Sequence, residues 1–485
     1  MEGAGGRESV TEPTRERAVM GEYDVVVAGA GLSGTFAAIA AGRVGARTLV
    51  VERFADLGGN IGPGMIVAGG LVREAEITLP GGMAGIPAEF MHRLERLRIG
   101  PADRYPEEAM IASFVAGQMM AEAGVEVLVR ACAADPIMDG TRVEGIFVET
   151  VGGRMAVPAR VTVDGTGQAQ IARRAGAPMV EYLPPDPALA DYIRPPYLQE
   201  VHPRHYNDTS VYCLIAGADL ERYERFAAEQ VQLSPQDLAW GQATGQIERY
   251  PAPLIPAARR AWEEGSFRRW MELAPGIAMS TGYAFGRVGD GLISLHVTFT
   301  GAIDPADPVL MSALERAGRS QALRAVRFYQ QNVPGFERAW LVTCAPFLGM
   351  RGGPHIEGDH TLTPQESFAG ARFDDVLFRN VHEQDHGGDP RGFDVPLRIA
   401  LPKGIEGLLV CGRGAAYQRR GHDPTGMRAR PSMMVFGQCV GTAAALAALE
   451  GTTPRQVDVR AVQRRLLADG IWLGEPERLA ELGLA

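Results

Sequence analysis

Cysteine is scarce and badly spaced for chemistry. The five residues Cys132, Cys213, Cys344, Cys411 and Cys439 lie far apart, and no CxxC or similar spacing occurs. That argues against zinc knuckles, iron–sulfur ligation and a redox-active disulfide. An odd, scattered set fits reduced thiols and a cytoplasmic setting. Positive charge is also in deficit: the net charge is −10, and no long basic run occurs. Neither nucleic acid nor an anionic membrane is expected as the main partner. No apolar run reads as long enough to span a bilayer. Residues 1–22 are polar and charged with no apolar h-region, so a disordered tail is expected rather than a signal peptide. Internal repeats and low-complexity tracts are absent. What the chain has in quantity is glycine, 60 residues in 485, and a hydrophobic content of 46%. Its length suggests about two or three domains.

The most informative stretch runs from Tyr23 to Asn60. Val25, Val26 and Val27 form an apolar β-branched run, and Gly29-Ala30-Gly31-Leu32-Ser33-Gly34 makes a glycine turn. Small residues from Thr35 to Val44 predict a helix, and Thr48 to Val51 predicts a second strand ending on Glu52. Each part has a physical task. Gly29 permits the tight turn, Gly31 lets backbone approach a pyrophosphate, and Gly34 lets helix and strand pack closely. The helix start offers unpaired N–H groups to phosphate. Glu52 is placed to accept hydrogen bonds from a ribose 2′-OH and to repel a 2′-phosphate. The glycine spacing alone is weak, since about one match arises by chance in so glycine-rich a chain. The flanking strand, the small-residue helix and the acidic strand end give it weight.

Further along, Gly58-Gly59-Asn60 supplies a second place for backbone to pass close to a ligand. Helices are expected at Pro87–Leu97 and Pro106–Ala123, and a strand at Val125–Ala131. A hairpin is expected between Arg142–Glu149 and Arg154–Val157. A separate buried strand, Ala159–Val163, then runs into the turn Asp164-Gly165-Thr166-Gly167. Prolines crowd residues 184–203 and mark a domain boundary. The middle of the chain mixes helices (Asp219–Gln230, Pro256–Glu272, Pro308–Asn332) with strands (Ser210–Ile215, Leu292–Phe299). Near the end, Gly407–Gly412 reads as a buried strand ending in glycine. Pro431–Leu449 reads as a helix with proline in its first turn and Gly451 just past its end.

Four blocks together resemble the FAD-dependent oxidoreductases of the glutathione-reductase-like superfamily. The nearest likeness is to the branch related to fumarate reductase and succinate dehydrogenase flavoproteins. The blocks are AGAGLSG with VVER and LGGN; VDGTGQAQIARRAGAP; DVPLRIALPKGIEGLLVCGRG; and MRARPSMMVFGQCVGTAAALAALEG. The resemblance covers about residues 23–180 and 396–465. It implies an α/β fold: a Rossmann-type FAD domain, with a parallel sheet, helices and a small antiparallel hairpin, plus an inserted α+β substrate domain. The domains would be 23–180 and 396–485 for FAD, and 181–395 for substrate. By this likeness Gly29, Gly31, Gly34 and Glu52, with Arg53 beside it, hold the ADP half. Gly58, Gly59 and Asn60 follow the pyrophosphate. Ala131, Asp164, Gly165 and Gly167 line the cofactor. Gly412, Arg413, Ser432 and Met434 face the ribityl chain and flavin ring. At Arg413 the chain departs from relatives that often carry an acidic residue. Enzymes with covalent flavin use a histidine soon after the first glycine block; none precedes His92 here, so FAD is expected to be non-covalent.

A helix N-terminus at residue 431 carries about half a positive elementary charge. Aimed at the flavin pyrimidine edge, it would stabilise the anionic reduced flavin and favour taking electrons from a substrate. No second glycine fingerprint occurs, because Tyr417 fills the third slot after Gly412 and Gly414. A separate NAD(P)H domain is therefore not expected. His382-Glu383-Gln384-Asp385-His386 matches the H-E-x-x-H zinc pattern, but Gly387, Gly388 and Pro390 follow at once and argue for a loop rather than the required helix. His382 and His386 read as part of a polar active-site loop or of a solvated one. His422 is placed near the reacting edge of the flavin and suits a general base. Arg428 and Arg430 suit a substrate carboxylate, or a salt bridge to cofactor phosphate or Asp423. The remaining histidines default to structural roles.

The expected activity is dehydrogenation of a polar small molecule, hydroxyl- or carboxylate-bearing, with hydride passing to flavin N5. The acceptor is left among a quinone, a carrier protein and oxygen, and a homo-oligomer is left open. An ene-reductase direction, an NAD-linked dehydrogenase and a non-catalytic flavin-binding subunit are the alternatives.

Overall fold

The computed structural model describes residues 14–66, 75–76, 78–97, 105–180, 209–243, 246–248, 250–264, 277–287, 291–301, 303–350, 352–381, 392–417, 427 and 429–485. Two apolar cores organise them. The first is built on a sheet whose central strand is β1 (Tyr23–Ala28). Parallel to it lie β2 (Thr48–Glu52) and the second half of β6 (Gly153–Asp164). β3 (Glu126–Val129) adds beyond β2, and β16 (Leu408–Val410) adds beyond β6, both parallel. β1 and β2 are apolar on both faces because both faces are covered, the usual condition of a parallel sheet. Residues 18–20 already run beside the sheet, with Val19 bridging Ala156.

β6 is one strand, not the two expected. Its first half pairs antiparallel with β5 (Arg142–Thr150), which pairs with β4 (Cys132–Asp139). Pro158 falls where pairing with β5 ends and pairing with β1 begins, a place that tolerates a missing N–H. β4 was not expected, because Pro136 interrupts it. As the outermost strand it accommodates the proline with register shifts on either side.

α1 (Leu32–Val44) covers the sheet, with α2 (Gly85–Leu97) and α3 (Tyr105–Glu122) packed against it. Short α4 (Gln170–Arg174) follows β6. The second core is an antiparallel sheet in the order β11 (Trp340–Cys344), β8 (Thr209–Ala216), β10 (Ile293–Gly301), β9 (Ile277–Arg287). A short strand, β12 (Gly349–Met350), also pairs with β8. Helix α5 (Pro308–Asn332) packs on β10 and β8. Asp307 caps it by accepting from the N–H groups of Val309 and Leu310, and Pro308 sits in its first turn. β9 was not expected; Gly282 and Gly286 break its apolar pattern.

From Ile356 onward the buried side chains belong to the first core again, well before residue 396. β13 (His355–Ile356) pairs with β7 (Met179–Val180), and β14 (Val376–Asn380) with β15 (Phe393–Pro396). The chain closes with α6 (Arg430–Leu449), laid along α1. A Cβ at Gly437 would lie 2.2 Å from the Ser33 carbonyl oxygen, and one at Gly441 would lie 2.1 Å from that of Ala37. Only glycine allows this approach. α6 is long and apolar enough to cross a membrane, which corrects the expectation that no segment would be. Its side chains are buried against α1, β6 and β14, so it is a core helix. The fold is thus α/β: a parallel Rossmann-like sheet assembled from both parts of the chain, with antiparallel sheets added.

Candidate functional site

Glycine turns converge at the carboxyl ends of β1 and β6. Gly29 (φ +94°) leaves β1, its N–H held by the Val51 carbonyl at 2.8 Å. A Cβ on it would lie 2.9 Å from the Gly165 carbonyl oxygen, so the turns after β1 and β6 touch. Gly58 and Gly59 fold back on the same place. The Gly58 N–H donates to the Ala30 carbonyl at 2.8 Å, and a Cβ at Gly59 would meet the Gly31 Cα at 2.9 Å. From the end of β16, a Cβ at Gly412 (φ +70°) would lie 3.0 Å from Ser33 Oγ.

These turns form one wall of a cavity of about 980 Å³, at the upper end of ligand-site volumes. Gly29, Gly31, Glu52, Arg53, Gly59, Asn60, Gly165, Gly167, Gly412 and Arg413 line it, as the sequence reading expects. Leu32 and Ser33, the first residues of α1, also face it, and the N-cap Gly31 offers no side-chain cap. The first N–H groups of α1 thus point at open volume, which suits phosphate. Glu52 Oε2 accepts from the Ala30 N–H at 2.8 Å and Oε1 from the Phe54 N–H at 3.0 Å. Burial raises its pKa above the ordinary glutamate range. Each oxygen keeps a second lone pair for a ligand hydroxyl.

Six expected residues sit elsewhere. Gly34 and Gly58 support the turns from beneath; a Cβ at Gly34 would be 1.9 Å from the Gly29 carbonyl oxygen. Ala131 is buried and its N–H donates to the Glu52 carbonyl at 3.0 Å, while its neighbours Cys132 and Ala133 reach the cavity. Asp164 does not line this cavity. Its fully buried carboxylate accepts from Thr166 Oγ1 at 2.6 Å, from the Thr166 N–H, and from the Ile171 and Ala172 N–H groups at 2.8 and 3.0 Å, clamping the turn to α4. Ser432 Oγ bonds Asn380 Oδ1 at 2.7 Å inside the core. Met433, not Met434, faces the cavity, because successive helix positions point about 100° apart.

The second core supplies the opposite wall, and the sequence reading missed it. Ser210 and Tyr212 come from β8, Met311, Glu315 and Arg319 from α5, and Pro346–Met350 from the segment after β11. No local pattern marks these residues; strand pairing across more than a hundred positions brings them together. Contacts tie the walls. Arg413 donates to the Met350 carbonyl, Arg430 donates to the Ile66 carbonyl at 2.7 Å, and Phe54 stacks on Phe347 with ring centroids 4.8 Å apart. Ala429 and Arg430, at the start of α6, also face the cavity, and the N-cap Ala429 carries no side-chain cap. His382, His386, His422 and Arg428 lie outside the described residues. Among the described residues no cluster of ligating side chains is suited to a metal.

A family model for FAD dependent oxidoreductases matches residues 24–466. The chain belongs to that family. It is an FAD-dependent oxidoreductase, and the glycine cradle, the uncapped α1 terminus and the cavity fit FAD. The match is to the broad family and does not reach down to the fumarate reductase branch. Among characterised proteins, a digeranylgeranylglycerophospholipid reductase from Methanoculleus marisnigri is 30% identical over 188 residues, 35% of this chain and 45% of that protein. Digeranylgeranylglycerophospholipid reductase 1 from Methanopyrus kandleri is 32% identical over 171 residues, 34% of this chain and 44% of that protein. The matched stretch thus spans under half the length of either relative. A solved geranylgeranyl bacteriochlorophyll reductase-like protein from Thermoplasma acidophilum has a TM-score of 0.42 at 14% identity, covering 93% of this chain and 87% of its own. A flavoprotein/dehydrogenase from Cytophaga hutchinsonii also has a TM-score of 0.42, at 12% identity, covering 92% and 83%.

Proposed function

We propose that this protein moves hydride between a small hydroxyl- or carboxylate-bearing molecule and N5 of non-covalently held FAD. The observation that carries the reading is that two uncapped helix starts, those of α1 and α6, face one cavity. Bound FAD supplies the two-electron chemistry. The chain's own residues do the rest. The α1 N–H groups bind the pyrophosphate, and Glu52 accepts from the ribose. The start of α6, with Pro431 in its first turn, would offer positive potential to negative charge on a flavin ring held in the cavity. Arg430 and Arg413, both on the wall, favour an anionic substrate group. His422 serves as the base taking the hydroxyl proton, with Arg428 orienting the substrate; the 382–386 loop is the second choice for that base.

The relatives' names favour a second reading, saturation of carbon–carbon double bonds in an isoprenoid chain. Ile66, Met311, Phe347 and Leu348 give the cavity apolar area that would suit it. The two separate by anaerobic spectroscopy of the FAD-loaded protein. Bleaching of the flavin by polyols, sugars or hydroxy acids, slowed at least a hundredfold in His422→Ala, is the expected result. Failure of all of these, with re-oxidation of the chemically reduced protein by an unsaturated isoprenoid lipid, establishes the second reading instead.

A further inference from the structure

Cys213 and Cys344 are 131 positions apart and nothing in their spacing pairs them, yet they are direct partners in the β8–β11 ladder. Their sulfurs lie 3.0 Å apart, the Cys213 thiol donating to the Cys344 sulfur. The next pair along is hydrogen-bonded, with the Ala345 N–H on the Tyr212 carbonyl at 2.7 Å. That makes Cys213 and Cys344 a non-hydrogen-bonded pair, the closer kind, with Cα atoms about 4.5 Å apart. A disulfide needs Cα atoms about 4.4–6.8 Å apart, so the backbone is already in place. Both residues are free thiols here; Cys213 is buried and Cys344 is only partly buried. Arg319 donates to the Ala345 carbonyl at 2.8 Å, beside Cys344.

We propose that Cys213 and Cys344 are an oxidisable pair that closes to an intramolecular disulfide when a hydroperoxide reaches Cys344. The Cys344 thiolate attacks the peroxide. An S–O bond forms, the O–O bond breaks, and the first water leaves with the thiol proton. The Cys213 sulfur then attacks Cys344. The S–S bond forms, the S–O bond breaks, and the proton of Cys213 leaves with the second water. Two thiols are oxidised and one hydrogen peroxide is reduced to two waters; a dithiol reductant reverses the change. Two features agree on Cys344 as the attacking sulfur. The Cys213 S–H bond and the Arg319 charge lower its pKa, while donating that bond and burial raise the pKa of Cys213. Among the described residues no other thiol is hydrogen-bonded to a second thiol: Cys132 is exposed, Cys439 donates to the Leu377 carbonyl at 3.5 Å, and Cys411 and Cys439 are buried with pKa values pushed up by burial. The link joins β8, which carries Ser210 and Tyr212, to the strand leading into the 346–350 segment, and both line the cavity. Oxidation therefore locks the second-core wall. The inference stands whatever the substrate is.

The test uses the full chain loaded with FAD. Hydrogen peroxide or diamide is added, excess is removed, and thiols are counted in denaturant beside a non-reducing peptide map. The expected result is loss of two thiols, one linked peptide joining residues 213 and 344, and a raised Tm that dithiothreitol returns to its starting value. Cys344→Ser and Cys344→Ala should each keep the Cys213 thiol and lose the Tm response. Survival of both thiols, or Cys344 oxidised to sulfinic acid with no linked peptide, overturns the proposal. The map of the wild-type protein decides even if both variants fail to fold.

Discussion

A methyl group at Gly34 would sit 1.9 Å from the carbonyl oxygen of Gly29, and neither backbone has room to move, because Gly29 is itself wedged against Gly165. At Gly31 the same methyl would meet nothing nearer than 3.6 Å, and the residue has an ordinary φ of −69°. The two glycines share a fingerprint but serve different purposes. Gly34→Ala should cost about 1–3 kcal/mol of stability or more, as overpacking does, and lower Tm even without FAD. Gly31→Val should leave the FAD-free Tm near wild type. It should weaken FAD binding at least tenfold, about 1.4 kcal/mol, because its side chain occupies the approach to the α1 N–H groups. Flavin fluorescence titration and thermal melts with and without FAD separate the two. Glycines that touch a ligand and glycines that touch backbone look alike in a sequence. For the same reason the sequence does not show that Met433 rather than Met434 faces the cavity, or that the Asp164 carboxylate is bonded to the start of α4.

The helix pair α1–α6 joins the two parts of the chain, and it does so through glycine. Gly437 meets Ser33, which lines the cavity, whereas Gly441 meets Ala37 one turn further along. Gly437→Ala and Gly441→Ala should therefore both lower stability by about 1–3 kcal/mol. Only Gly437→Ala should also weaken FAD binding, because separating the helices there displaces the start of α1. Equal effects on affinity would show that α6 supports the site only through overall stability. At this scale much is readable in advance. Asp307-Pro308 announces α5, and Pro431 and Gly451 bracket α6, because caps are local chemistry. β4 and β9 are not readable, since Pro136 and the glycines of β9 spoil patterns that only pairing with neighbours restores.

The molecule as a whole places a cavity between two cores, and the second core is where the sequence is mute. Prolines near residue 190 are read from the sequence as a change of domain, but they say nothing of which face β8, α5 and the 346–350 segment turn toward Gly29. That face, and with it the second wall of the cavity, is set by long-range pairing. The stack of Phe54 on Phe347 tests whether the walls act together, since one ring follows β2 and the other follows β11. In a double-mutant cycle, Phe54→Ala and Phe347→Ala should show a coupling of about 0.5–1.5 kcal/mol in unfolding. If FAD binding needs the walls held at their present separation, a coupling of similar size should appear in the FAD dissociation constant. Either single variant then loses nearly as much affinity as the double. Strict additivity in FAD binding, with coupling only in unfolding, would mean that the stack braces the fold while the cradle of the first core holds the cofactor unaided.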